Sequence, residues 1–267
     1  MTINMDYKTL KLGSDARGVA TLTLAREEVF NAFDELMIDE LTRAFAALGT
    51  DPKVRVVVLA AAGKAFSAGA DLRWMERTSQ NGRQENLEDA RRFARMMQAI
   101  NECSKPVVGR VQGAAYGGGV GLCCACDIVF ASSQSVFSVS EAKFGILPSV
   151  IGPYLTNAVG KRQALRLALT AQRIDAAHAL RIGLVHQVAE TSELDGLIEE
   201  TVAALLLNGP AALGEIKSLF GQLEVGEITE QVRELTAQTI ARVRATDEAR
   251  EGFAAFFAKR APSWGQR

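Results

Sequence analysis

The chain has 267 residues, 48% of them hydrophobic and 23% charged, with a net charge of −1. That is enough apolar material for a sizeable core in one or two domains, while the absence of a basic block leaves nucleic-acid binding without electrostatic support. No run reaches the ~18 apolar residues of a membrane span, and Met1–Lys8 carries no apolar or Arg-rich targeting pattern, so a cytoplasmic protein that binds neither nucleic acid nor membrane is expected.

Taken in chain order, Val19–Leu24 alternates polar and apolar residues and predicts a strand. Asp34 is placed to cap a helix running toward Leu48, with Leu36, Met37, Leu41, Phe45 and Leu48 at helical spacing. Val54–Ala60 is an apolar run interrupted only by Arg55, the pattern of a strand buried on both faces. A loop, Lys64–Asp71, follows it, and Asp71 is placed to cap a short helix, Leu72–Arg77. Thr78–Glu85 is polar and reads as a mobile linker, and Leu87–Ile100 as a helix.

Further along, Lys105-Pro106 introduces an apolar strand, Val107–Val111. The segment Gly113-Ala-Ala-Tyr-Gly-Gly-Gly-Val-Gly121 comes next and leads into a helix near Val120–Cys126. Ile128–Ala131 and Val136–Val139 read as strands. Beyond Pro148 the pattern is helical over Ala164–Leu169, Ala176–Ile182, Leu197–Leu207, Ala211–Leu223, Glu230–Val243 and Glu248–Lys259, with one strand, Leu184–Val188, between them. Strands alternating with helices, then helices alone, predict an α/β core of repeated ββα units with a helical C-terminal region.

The chemistry concentrates in two glycine-containing loops. Three consecutive glycines, Gly117–Gly119, at a strand-to-helix junction leave backbone N–H groups bare to a ligand oxygen. The loop at Phe66-Ser-Ala-Gly-Ala-Asp71 is a second such place. Two exposed N–H groups from two loops can together make an oxyanion hole for a carbonyl. The triplet is not a phosphate loop, because no Lys-Ser/Thr follows it, and it lacks the third glycine of a dinucleotide fingerprint. Cys103, Cys123, Cys124 and Cys126 have no zinc spacing and read as free, small apolar residues in a reducing compartment. His178 and His186 have no nucleophile near them in sequence.

These segments together resemble the crotonase superfamily, the enoyl-CoA hydratase/isomerase family, over nearly the whole chain. The resemblance is carried in order by Asn31-Ala32, Phe66–Asp71, Lys105–Asp127, Phe137-Ser-Val-Ser-Glu141, Phe144-Gly-Ile-Leu-Pro148, Gly160–Leu169 with Leu180–Val185, Glu251–Phe256 and Lys259–Trp264. It implies a crotonase-type ββα spiral core with the acyl-CoA site over residues 1–200. A helical trimerisation region would span 201–267. The family also implies a homotrimer or hexamer, and neither metal nor cofactor beyond the coenzyme A of the substrate. By position, the oxyanion N–H groups fall on Ala70 and Gly118, and the catalytic carboxylate on Glu141. Ala68, Asp71, Leu72, Trp74, Gly117, Gly121 and Ser149 fall along the substrate.

Departures from the family pattern matter as much. Typical hydratases of this family carry a glutamate just after the glycine triplet, where this chain has Gly121. One carboxylate remains, and the space at Gly121 is expected to take a water or a carboxylate of the substrate. Glu141 fits two roles, a general acid or base raised by burial and a charge at a helix N-terminus. Ser149 stands where aryl-CoA dehalogenases have a nucleophilic aspartate, and near an acid on which some dienoyl-CoA isomerases rely. It argues against both. The stretch Ser149-Val-Ile-Gly-Pro-Tyr154 implies a bulkier, more apolar acyl pocket. The pattern resembles a bacterial branch assigned to methylglutaconyl-CoA and related branched glutaconyl-CoA hydration, for which Arg73 or Lys143 is a candidate counter-ion. Trp74 and Met75 suit an acyl or pantetheine channel or plain packing, and Lys259 and Arg260 suit a CoA phosphate or a solvated helix end. Two other functions stay open: a Δ3,Δ2-enoyl-CoA isomerase, which needs one carboxylate, and a non-catalytic acyl-CoA-binding protein.

Overall fold

A computed structural model describes residues 6–265. Its strands, in chain order, are β1 (Leu10–Ser14), β2 (Val19–Leu24), β3 (Val56–Ala61), β4 (Val107–Val111), β5 (Ala114–Tyr116), β6 (Ile128–Ser132), β7 (Val136–Ser138), β8 (Ile174–Asp175) and β9 (Gln187–Ala189). The helices are α1 (Glu35–Thr50), α2 (Leu72–Thr78), α3 (Arg83–Asn101), α4 (Gly118–Ala125), α5 (Gly152–Thr170), α6 (Ala176–Arg181), α7 (Leu194–Leu206), α8 (Pro210–Gln222), α9 (Glu230–Arg244) and α10 (Asp247–Phe257).

Six strands form one sheet in the order β1-β2-β3-β4-β6-β9. The β1–β2 pair is antiparallel and every later pair parallel. Parallel neighbours require crossovers, and α1, α3 and α4 supply the first three, with α5 and α6 in the last, from β6 to β9. All six residues of β3 are buried, and the alternation of side chains divides them between two cores. Val57, Leu59 and Ala61 join the main core with α1, α3 and α4. Val56 and Val58 face Leu194, Ile198 and Val202 of α7. A second sheet, β5-β7-β8, stands beyond the glycine triplet and carries the segment containing Glu141. This is the ββα core expected from the sequence.

The C-terminal region is helical and stands largely apart from that core. Helices α8 and α9 contain no buried residue, and α10 contains one, Ala255. Lys217 Nζ ties α8 to the core through Asp127 Oδ2 at 2.6 Å and the Lys105 carbonyl at 3.0 Å.

Several boundaries differ from the sequence reading. The polar stretch at Thr78–Glu85 is not a linker, because α2 runs through Thr78 and α3 begins at Arg83 with Glu85 bonded back to the Gly82 N–H. The helix expected over Ala164–Leu169 is the end of α5, which kinks at Gly160 (φ 74°). Leu184 and Val185 are buried but precede the strand, which is β9. β1, β5 and β8 have no counterpart in the sequence reading. The reading of the N-terminal segment rests partly on residues 1–5, which lie outside the described residues.

All four cysteines are free, and burial pushes their thiols up, that of Cys124 to about 12. They are unreactive packing groups at neutral pH. Among the described residues, no helix is long and apolar enough to cross a membrane.

Candidate active site

A cavity of about 460 Å³ opens between α2, the N-terminus of α4 and the segment 138–151. Three local structures shape it, each traceable to the sequence.

The first is the loop before α2. Asn31, fully buried, holds it through Nδ2 donating to the Ala62 and Ala65 carbonyls at 2.9 Å each. Ser67 Oγ donates to the Asn31 carbonyl at 2.8 Å. The Phe33 N–H donates to the Gly69 carbonyl at 2.7 Å and the Asp71 N–H to the Phe33 carbonyl at 2.8 Å. That parallel bridge turns the N–H of Ala70 away from Phe33, and Ala70 lines the cavity.

The second is the glycine triplet. Gly117 has φ 51° and ψ −120°, backbone that only glycine adopts without strain. Gly118 opens α4, so its N–H has no acceptor within the helix and sits at the positive end of the peptide dipoles. A Cβ on Gly118 would stand 2.5 Å from Phe33 Cε2, so the helix start lies hard against the Phe33 ring.

The third is a single 3-10 turn, Glu141–Phe144, after β7. Glu141 lines the cavity. Its Oε2 is buried without a hydrogen-bond partner among the described residues. Burial raises its carboxyl above the ordinary range, opposed only in part by backbone hydrogen bonds. A carboxyl raised by burial thus lines the same cavity as Ala70 and Gly118.

Of the sequence-predicted residues, Glu141, Gly118, Ala70, Ala68, Leu72, Trp74, Gly117 and Ser149 line this cavity together. Val150 and Ile151 also line it, giving the apolar wall expected of that stretch. Asp71 and Gly121 do not line it. The Asp71 carboxylate accepts from the Arg73 and Trp74 N–H groups and from Arg26 Nη2 at 2.9 Å, so it caps α2 and anchors the loop. Burial pushes it up, but these bonds outweigh burial and hold it below the usual carboxylate range. Gly121 offers no space to water or substrate. A Cβ there would lie 2.4 Å from Ile151 Cγ2 and 3.4 Å from Met97 Cε, so Ile151 already occupies that volume.

Among the candidate counter-ions, Lys143 lines the cavity and Arg73 does not. Sequence reasoning missed Arg173, which also lines it, with its guanidinium 5.4 Å from the centre of the Tyr116 ring. No linear spacing relates Arg173 to Glu141; the register of β8 on β7 brings them to one end of the small sheet. His178 Nε2 lies 2.7 Å from Arg166 Nη2, and His186 Nδ1 accepts the Val129 N–H at 3.0 Å, which makes both structural. Arg260 is engaged by Glu251 through both nitrogens, at 2.7 and 2.8 Å.

The α/β spiral core with its helical C-terminal region defines a crotonase-type fold, and the cavity lies against its glycine triplet. The model of the family described as "Enoyl-CoA hydratase/isomerase" matches residues 14–267, and the chain belongs to that family. It is 36% identical to a putative enoyl-CoA hydratase of Thermus thermophilus, over 91% of this chain and 96% of the relative. It is 32% identical to a mitochondrial Delta(3,5)-Delta(2,4)-dienoyl-CoA isomerase of Dictyostelium discoideum, over 96% and 91%. The crystal structure of an enoyl-CoA hydratase from Shewanella pealeana superposes with a TM-score of 0.94 at 39% identity, covering 97% of each chain. The protein is thus an enzyme of the enoyl-CoA hydratase/isomerase family.

Proposed function

We propose that the enzyme adds water across the α,β double bond of an acyl-CoA thioester, or removes it in reverse. The observation that carries this reading is the buried, unpartnered Oε2 of Glu141 in the same cavity as Ala70 and Gly118. Glu141 takes a proton from water as its oxygen bonds to the β-carbon. The displaced electron pair moves through the α-carbon to the thioester oxygen, which the Ala70 and Gly118 N–H groups stabilise, each by about 3 kcal/mol. The protonated Glu141 then delivers its proton to the α-carbon on the same face. One carboxylate therefore serves both steps of a syn addition, and the reading calls on no metal and no cofactor beyond the coenzyme A of the substrate.

For the acyl group we favour methylglutaconyl-CoA or a related branched chain with a distal carboxylate. Lys143 and Arg173 line the cavity, and neither has a carboxylate partner among the described residues, which suits a negative charge on the substrate. Exposed Phe220, Phe253 and Phe256 on the C-terminal helices suit a homotrimer or hexamer.

A second reading is double-bond migration, for which one carboxylate shuttling a proton between carbons is enough. The observation favouring it is Ile151, which occupies the place beside Gly121 where a second, water-holding carboxylate would reach. Turnover in ¹⁸O-water of methylglutaconyl-CoA, crotonyl-CoA and a 3-enoyl-CoA separates the two. Solvent oxygen in the product marks hydration; a migrated double bond without it marks isomerisation and overturns the first reading.

A further inference from the structure

The segment 141–151 meets glycines around the start of α4 twice. Glu141 stands over Gly117, the residue before the helix, and Ile151 over Gly121 within it. At the first position a Cβ would be 3.2 Å from Glu141 Oε1, a tight but soft approach. At the second it would be 2.4 Å from Ile151 Cγ2 and 3.0 Å from Ile151 Cβ, where nothing fits. Ile151 is only 2% exposed, and it still contributes to the cavity wall. Met97 of α3 lies on the far side of the same contact. The opposite end of the cavity is open. Leu72, Phe144 and Leu147 line it while remaining 73%, 57% and 71% exposed. The chamber is closed along α4 by one side chain and open over an apolar rim.

We propose that Ile151 is a specificity-determining residue of this site. By filling the volume beside Gly121 it closes the route along α4 and turns the acyl chain, beyond the carbons that face Glu141, toward the rim of Leu72, Phe144 and Leu147. Because the rim lies at the open end, chains bulky near the reacting carbons are accommodated there, whereas a straight chain gains little from each methylene it extends. Replacing Ile151 by a smaller residue opens a second apolar route, walled by Met97, that a straight chain fills. The inference rests on the acyl-CoA reading and names the part of the substrate that Ile151 selects.

The experiment is calorimetric titration of saturated butyryl-, hexanoyl- and octanoyl-CoA into wild type, Ile151→Ala and Ile151→Leu. Saturated esters bind without reacting, so the readout does not depend on which reaction the enzyme performs. In Ile151→Ala the affinity ratio of hexanoyl- to butyryl-CoA should rise roughly 4-fold for each methylene newly buried, the fold-change that about 0.8 kcal/mol corresponds to. Ile151→Leu keeps the volume and should leave that ratio within about 2-fold of wild type. Any general loosening of the fold weakens all esters together and cancels in the ratio. If the alanine variant does not fold, Ile151→Val, one methylene smaller, carries the same comparison at lower amplitude. A folded alanine or valine variant that binds butyryl-CoA with an unchanged ratio overturns the proposal. Wild type that binds none of the esters overturns the acyl-CoA reading, and this inference with it.

Discussion

Glu141 Oε1 stands 3.2 Å from the point where Gly117 would carry a Cβ, and no side chain separates the carboxylate from the backbone at the start of α4. The approach has a consequence in both directions. Gly117 holds φ 51° with ψ −120°, and any other residue there is strained. Gly117→Ala should therefore cost about 1–3 kcal/mol of stability and push Glu141 from its place. Urea denaturation and kcat/KM measure the two effects. A variant of wild-type stability and activity would show that neither the backbone nor the contact matters.

Glu141→Gln preserves shape and removes the exchangeable proton. Turnover should fall by about 10²–10⁴-fold, with acyl-CoA affinity retained. Because burial raises the carboxyl of Glu141, kcat/KM of the wild type in the direction that uses it as base should rise with pH through that elevated value. The variant's residual rate should lack that rise. Steady-state kinetics across pH 4–9 would expose an error in this assignment as a profile shared by both proteins.

The same substitution should stabilise the fold. A carboxyl whose folded pKa lies above its unfolded value binds a proton in the native state that the unfolded chain has already released. Native stability is then greatest below the unfolded pKa and declines as pH rises through the folded one. Glutamine carries no such penalty. The melting temperature of Glu141→Gln, relative to wild type, should climb as pH increases across that window and then level off. A difference that is flat or falls with pH contradicts the burial of Glu141.

Asp71 has the opposite sign. Its carboxyl is held low by the Trp74 and Arg73 N–H groups and Arg26 against the effect of burial, so it stabilises the fold above its unfolded pKa and that contribution is lost as pH falls through the folded one. Asp71→Ala removes the cap of α2 and leaves Arg26 with Asp34, at 3.2 Å, and the Ala32 carbonyl, at 2.6 Å. The expected loss is about 1–3 kcal/mol at pH 7, shrinking toward zero in acid. Activity should fall as well, since the same bonds set the path of the loop bearing Ala70. Thermal melts at pH 7 and pH 3 with matched assays decide it.

Much of this was legible in the sequence because the signals were local. Asp34 and Asp71 cap the helices they were assigned to, and the unbroken apolar run of β3 is buried throughout. The two loops and Glu141 converge as their residue types suggested. What escaped was not local. β5 hides inside the glycine segment, and its pairing with β7 is a tertiary event. Arg173 reaches the cavity only through strand register. Gly121 reads in sequence as a vacancy, yet Ile151, thirty residues later, fills it. Volume complementarity between distant residues leaves no mark in a linear pattern.

That last pair sets the sharpest test of the site. Introducing a carboxylate by Gly121→Glu alone should destabilise the protein, since a Cβ 2.4 Å from Ile151 Cγ2 forces the α4–α5 contact apart, at about 1–3 kcal/mol or more. Ile151→Ala alone should cost about 2–5 kcal/mol as a cavity. The double variant places the added atoms in the vacated space, so its loss should be smaller than the sum by about 1–3 kcal/mol, a coupling that urea titration of all four proteins yields directly. The new carboxylate would lie four residues along the chain from Gly117, the residue that Glu141 faces. Like charges at that spacing raise one of the two pKa values further, so the acid limb of the pH–rate profile should move up in the double variant. A second group to hold water should also increase solvent-oxygen incorporation relative to double-bond migration. Strictly additive stabilities would mean that Ile151 is not what fills the place of a second glutamate. An unchanged product ratio in a folded double variant would mean that a single carboxylate already provides all the water activation this site performs.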